Sequence, residues 1–385
     1  MALALALAVA GFGRGFSGLC SAADSGTNMV TVEAIKPPLH PLPPENASTG
    51  VRQFSFLVYG DTRGRRDGKQ LQYEHSLIID SMLDTIKKAE KTAFPVRFVL
   101  QTGDAVVDGR DPKQWNASFV ALINRLTTEG GVPYFLAPGN HDVTSAAAIN
   151  SRDRRQGLGN YLEAVSQLIP TNGTPRRLNG YPTYAFGYGN SFFIALDSNL
   201  ADDRLQFYWV KNELKNLDRR RYENVFAFFH HPPFSSGPHG ASNIERPAAA
   251  LRKRYMPLFR KHHVRAIFAG HEHFFEHWVE RYQDAQGRNH RLDEIITGGG
   301  GAPLYPYRGE PRTQAYIDRF KPEKIALEHL VKPGPKPGDN PYHYCVVRVD
   351  GDQLRLEVIG VDWGKDFAPY RSSKTEMSDD DEMRP

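Results

Sequence analysis

The sequence predicts an α/β protein: a four-layer α/β/β/α sandwich in which two packed mixed β-sheets lie between layers of helix. Three observations point there. Between Phe54 and Ala269, apolar β-prone runs alternate with stretches of helical spacing, the pattern of βαβ units. Five of these runs end at a short polar motif rich in Gly, Asp or His. Beyond His273 the texture changes to β-runs without long helices, which predicts a second sheet packed on the first.

Taken in order, residues 1–23 read as a signal peptide. The apolar run from Ala2 to Gly13 is too short for the ~20 residues that span a bilayer, and small residues follow at Ser21-Ala22-Ala23. Export to a periplasm or the cell exterior is the matching expectation, with cytoplasmic residence if the segment is not a signal. Residues 24–50 are proline-rich around Lys36–Glu45 and read as an extended linker, since proline cannot feed a sheet. A catalytic domain is expected over 51–366, and residues 367–385, with the run Asp379-Asp380-Asp381-Glu382, as a polar acidic tail.

Within the domain, Phe54–Tyr59 is the first strand, and Leu77, Ile78, Met82, Leu83 and Ile86 give the first helix. Arg97–Gln101 is the second strand, and Trp115, Phe119, Leu122 and Leu126 mark the next helix. Val132–Ala137 is the third strand. Residues 144–180 read as a polar, Arg-rich insertion. Tyr184–Tyr188 and Ser191–Leu196 form a hairpin around Gly189-Asn190, and Val225–Phe229 and Val264–Ala269 are further strands. Phe274–Tyr282, His290–Thr297, Tyr342–Val349 and Gln353–Val361 follow. Strand ends of one polarity collect loops at one rigid edge, which is where α/β sheets build sites.

Composition narrows the function. Forty per cent hydrophobic and 24% charged residues exclude a disordered or fibrous chain, and a formal charge of +4 on 385 residues gives no nucleic-acid footprint. No stretch is long enough to span a membrane. Cys345 reads as a buried apolar filler, and no disulfide is expected.

The five motifs are Gly60-Asp61-Thr62-Arg63, Gly103-Asp104, Gly139-Asn140-His141-Asp142, His230-His231-Pro232-Pro233 and Gly270-His271-Glu272-His273. Singly each is weak, because Gly-Asp and Gly-Asn are common turns. Five in this order resemble the calcineurin-like metallophosphoesterase superfamily over roughly Phe54 to His273. The resemblance implies the sandwich fold, a phosphate-ester substrate and two metal ions. Mixed oxygen and nitrogen donors suit Mn, Fe, Zn or Co rather than Ca. It also implies Asp104 as the bridging ligand, Asp61 and His273 on the first ion, and Asn140, His230 and His271 on the second, with a bridging hydroxide as nucleophile. His230 is preferred over His231 because the family ligand stands two residues before Pro. His141 is expected to donate a proton to the leaving oxygen, with Asp142 holding its imidazole.

One position departs from the pattern. The family commonly has His two residues after the first Asp, where this chain has Arg63, and a guanidinium cannot ligate a metal. Purple acid phosphatases also lack that His but carry Tyr at the position of Val107. The first ion is then left with three protein ligands, and water or Asp108 fills the gap, although Asp108-Gly109 reads more simply as a turn. Arg63 is expected either to clamp phosphate or to form a surface salt bridge. His239 is the substrate-contact candidate among the remaining histidines. Gly298–Gly301 reads as a flexible connector, a close backbone approach or an anion nest, and Asp197 as a tie between loops that carry the site. The competing readings are a non-catalytic metal-containing protein, disfavoured by His141, and a nuclease, disfavoured by the low charge.

Overall fold

The computed structural model describes residues 30–64, 67–68, 71–143, 151–239, 245–305, 324–334 and 339–361, with the backbone of short strands at 368–369 and 375–377. The expected leader, 1–23, and the acidic run 379–382 lie outside the described residues. Fourteen described strands run in chain order: β1 Gln53–Tyr59, β2 Val96–Gln101, β3 Tyr134–Leu136, β4 Tyr184–Tyr188, β5 Ser191–Ala195, β6 Asn224–Phe228, β7 Ala266–Ala269, β8 Phe275–Gln283, β9 Asn289–Thr297, β10 Ala326–Val331, β11 Tyr342–Asp350, β12 Gln353–Val361, β13 Ala368–Pro369 and β14 Thr375–Met377.

They make two mixed sheets. The first is ordered β13-β12-β11-β1-β2-β3, with β14 also on β12, and the second β10-β8-β9-β7-β6-β5-β4. β1, β2 and β3 are parallel, as are β5, β6, β7 and β9. Each motif-bearing group therefore presents its carboxyl ends on one edge.

The sheets pack through aromatic rings. Phe56 of β1 meets Phe193 of β5 and Phe226 of β6 edge-on at 5.2 and 5.4 Å between centroids, and Phe98 of β2 meets Phe193 at 5.0 Å. Alternation along a strand sends the neighbours to the other face. Phe192 and Ile194 of β5 join Val210, Leu214, Tyr255 and Phe259 in a second apolar cluster beneath the helices. On the far side of the first sheet, helix Tyr73–Ala89 and the segments Trp115–Val120 and Ala121–Thr128 bury Ile78, Met82, Phe119 and Leu122. Helix, sheet, sheet, helix is the expected order of layers.

Two expectations need correction. The strands after His273 do not form a sheet of their own: β11 and β12 close the first sheet against β1, and β8 to β10 extend the second. Partner choice is a long-range property that periodicity does not carry. The described part of 24–50 is extended, as proline requires, but is packed rather than a free linker. Ile35 is fully buried and its N–H donates to the Ala164 carbonyl at 2.9 Å, while the Glu45 carboxylate pairs with Arg176. In the insertion, Ser151 caps a helix over Arg152–Ala164 that its arginines concealed, and Arg154 turns inward to Asp197 at 2.6 Å.

Candidate active site

The five motifs meet across the gap between the sheets. The first three leave β1, β2 and β3, and the last two leave β6 and β7. Asp61, Asp104 and His271 hold left-handed backbone, with φ of 58°, 56° and 73°. Such backbone costs roughly 1–3 kcal/mol per residue and persists where the surroundings over-determine it. Close backbone contact does so here: Asp61 N–H donates to Gly103, Arg63 N–H to the Asp104 carbonyl, and His271 N–H to Asp61 Oδ2.

Three polar atoms crowd His230 Nε2. His230 Nε2 lies 2.8 Å from Asn140 Oδ1, 3.0 Å from His271 Nδ1 and 3.3 Å from Asp104 Oδ1. Each ring's proton is committed elsewhere. His230 Nδ1–H donates to the Thr102 carbonyl at 3.1 Å, and His271 Nε2–H to Glu245 Oε2 at 3.0 Å. Lone pairs therefore face one another, an arrangement a shared cation stabilises. Donors ~2.1 Å from one ion at right angles stand about 3 Å apart, so the separations fit. Burial, opposed by the Glu245 hydrogen bond, lowers the His271 imidazole to about 4, which keeps it in the neutral, ligating form.

A second acceptor set lies beside the first. Asp61 Oδ1 is buried without a hydrogen-bond partner and lies 3.5 Å from His273 Nε2. His273 donates from Nδ1 to the Pro303 carbonyl at 2.7 Å, which leaves Nε2 as an acceptor. Asp104 Oδ2 faces the same region. Burial alone would raise the Asp104 carboxyl, but His230, His141 and Arg63 together hold it well below the usual carboxylate range. Arg63 is not a surface ion pair. Its side chain is 17% exposed, and it donates from Nε to Asp104 Oδ2 at 3.1 Å and from Nη2 to His273 Nε2 at 3.3 Å.

The remaining sequence candidates divide. His141 stands at the mouth, its Nδ1–H on the Val107 carbonyl at 2.7 Å and its Nε2 4.0 Å from Asp104 Oδ2. Asp142 does not hold that imidazole. Its Oδ1 accepts Ala105 N–H at 2.8 Å and Val106 N–H at 3.3 Å, and its Oδ2 accepts Gly139 N–H at 2.8 Å, so it fastens the second motif to the third. Burial and the charge of Asp104 push its carboxyl up to about 8 against those three N–H groups. The reason is local: residues 140–143 form a helical turn, on which neighbours in sequence diverge. His231 turns Nδ1 to Ser198 at 2.8 Å, yet its ring stays 4.5 Å from that of His271 and its nitrogens group with those of His230 and His271, so it also borders the candidate metal site. Asp108 pairs with Arg110 at 2.8 Å, and its carbonyl accepts from Asp111 N–H in a turn.

His239 does reach the site: its ring lies 4.4 Å from that of His271, and its Nδ1 2.9 Å from Glu245 Oε1, a hydrogen bond that raises its pKa against burial. Asp197 ties loops as expected, accepting from Asn199, whose amide reaches the Gly139 carbonyl. Gly298–Gly301 is a close backbone approach. A Cβ on Gly298 would lie 2.1 Å from the Glu272 carbonyl, while Gly300 and Ala302 donate to the carbonyls of Gly60 and Asp61.

Glu245, Tyr305 and the Val107 carbonyl were not foreseen. Tyr305 stacks on His273 with centroids 4.1 Å apart. None sits in a motif; the only prior signal for Glu245 was its place before Arg246-Pro247 at a helix start.

Gly139 crosses the second motif so closely that an added Cβ would lie 2.2 Å from the Asp104 amide nitrogen and 2.3 Å from its Oδ1. Gly139→Ala should therefore cost about 1–3 kcal/mol, seen as a lower melting temperature, together with reduced metal content. An unchanged melting temperature with full metal would contradict this packing.

Similarity searches agree with the geometry. The calcineurin-like phosphoesterase family model matches residues 54–275. The chain is 33% identical over 169 residues to probable purple acid phosphatase 20 of Arabidopsis thaliana, covering 43% of this chain and 37% of that protein. It is 21% identical over 262 residues to serine/threonine-protein phosphatase CPPED1 of Rattus norvegicus, covering 66% and 73%. The solved structure of purple acid phosphatase PPD1 from Lupinus luteus seeds shares the fold, with a TM-score of 0.52 at 16% identity over 83% of this chain and 53% of that one. The chain spans 34–40% of the length of the three Arabidopsis relatives it matches.

Proposed function

We infer that this chain, which belongs to the calcineurin-like phosphoesterase family, is a metal-dependent hydrolase of phosphate esters. The observation that carries the reading is the crowding of Asp104 Oδ1, Asn140 Oδ1 and His271 Nδ1 around His230 Nε2, whose other ring nitrogen is held by the Thr102 carbonyl. These four would hold a divalent cation. Such an ion supplies Lewis acidity toward a phosphoryl oxygen and lowers the pKa of water.

The chain's own groups do the rest. Thr102 and Glu245 fix the ligating tautomers of His230 and His271. The Val107 carbonyl fixes His141 so that Nε2 faces the cleft, positioned to protonate a leaving oxygen. Arg63 adds positive charge where phosphoryl oxygens would bind. His239 and Tyr305, with Nε2 and hydroxyl 3.4 Å apart, line the approach and would contact the leaving group.

The test is turnover of 4-nitrophenyl phosphate, bis(4-nitrophenyl) phosphate and a phosphoserine peptide after reconstitution with Mn, Zn, Fe or Co. Hydrolysis of any of them that disappears with chelator is expected; no turnover with any ion would leave the non-catalytic reading. No described helix is long and apolar enough to cross a membrane. Export through residues 1–23 is part of this proposal, and secreted material that retains Met1 would refute it.

A further inference from the structure

The two acceptor sets differ in one respect. In the set around His230, no cationic side chain among the described residues donates; the hydrogen bond into it comes from the His141 main-chain N–H to Asp104 Oδ1 at 3.0 Å. In the set around His273, a donor is already in place: Arg63 bonds both Asp104 Oδ2 and His273 Nε2, two of the three atoms a first ion would need. Resemblance alone predicts two ions. The structure assigns Arg63 to the place of the first, so that the site works with one metal ion and one guanidinium. This rests on the reading of the cleft as a metal-dependent hydrolase site.

The electrostatics agree. Asp61 and Asp104 bring two carboxylates into a fully buried setting, and buried charge has to be matched. One divalent ion on Asp104, Asn140, His230 and His271, with Arg63 beside it, supplies that match. A second divalent ion would have to strip Arg63 from Asp104 Oδ2 and His273 Nε2, then stand within a few ångströms of the displaced guanidinium in a low-dielectric cleft. The anchoring of Arg63 adds to the cost. Its backbone N–H is held by the Asp104 carbonyl at 3.1 Å, and its side chain is largely enclosed.

The guanidinium is also suited to the ion's task. Of its five N–H groups two are used by Asp104 and His273. The other three have no partner among the described residues and form a fork for two phosphoryl oxygens. Asp61 Oδ1 lies 3.5 Å from His273 Nε2, the atom on which Arg63 sits.

The experiment is metal counting on the full chain, which reads no activity. Loaded with excess Mn and desalted, the wild type should carry one ion per chain and give the six-line magnetic resonance spectrum of an isolated Mn(II). Arg63→His places an imidazole where the family ligand stands, and should carry two ions with an exchange-coupled spectrum. Arg63→Lys, which keeps a charge but not the fork, should stay at one. Two coupled ions in the wild type would overturn the proposal. So would one ion in a folded Arg63→His variant, because Arg63 would then not be what excludes the second. A wild type with one ion and no phosphoesterase activity would instead refute the functional reading and leave this assignment standing.

Discussion

Replacing Asp104 with asparagine should strip the protein of bound metal and abolish hydrolysis. Asp104 brings the only negative charge to the set it forms with Asn140, His230 and His271, and its other oxygen is the anchor of Arg63. Asparagine keeps the shape, tolerates the left-handed backbone at φ 56°, and its amide oxygen can still accept the His141 N–H now bonded at 3.0 Å. The fold should therefore survive, and the loss is electrostatic. Changing a group that merely supports a ligand costs 10–100-fold in affinity or activity, so loss of the ligand charge itself should exceed about 10²-fold in both. Metal analysis after desalting decides: wild-type content in Asp104→Asn would make the assignment wrong.

His141→Ala should give the opposite split, with metal retained and kcat lowered by about 10²- to 10⁴-fold, the usual range for removing a general acid. His141 hydrogen-bonds the second motif through its main-chain N–H, which alanine preserves, and among the described residues its ring hydrogen-bonds the Val107 carbonyl and comes within 4.0 Å of Asp104 Oδ2. Substrates with good leaving groups need less protonation, so the deficit should shrink for 4-nitrophenyl esters and grow for alkyl esters. A uniform deficit across leaving groups would point to positioning instead of proton donation.

Much of this was legible in the sequence, for a physical reason. A strand core is a local property: apolar runs such as Phe54–Tyr59 and Val225–Phe229 have to be buried wherever they end up, and the motifs at their ends mark where backbone must turn sharply. The pairing of β1 with β11 was not legible, because it joins Phe54 to Val349. Asp142 was misread since adjacency in sequence was taken for adjacency in space, whereas a helical turn separates neighbours. Glu245 orients His271 from a stretch with no recognisable pattern, and a carbonyl such as that of Val107 has no sequence signature at all. Arg63 was correctly seen as the departure. That it would lie on the acceptors of the first ion, rather than beside them, required coordinates.

The pairing of β1 with β11 also separates two boundaries that are easily equated. The family-model match ends at residue 275, yet β1, which delivers Asp61 and Arg63, has β2 on one side and residues 342–350 on the other. Without that late segment, β1 is an edge strand with a row of unsatisfied N–H and C=O groups, the configuration that invites intermolecular pairing. The first sheet is thus completed by chain that lies beyond the matched region. The matched region is therefore not by itself a unit of folding, and the strand that carries its first motif waits on residues outside it.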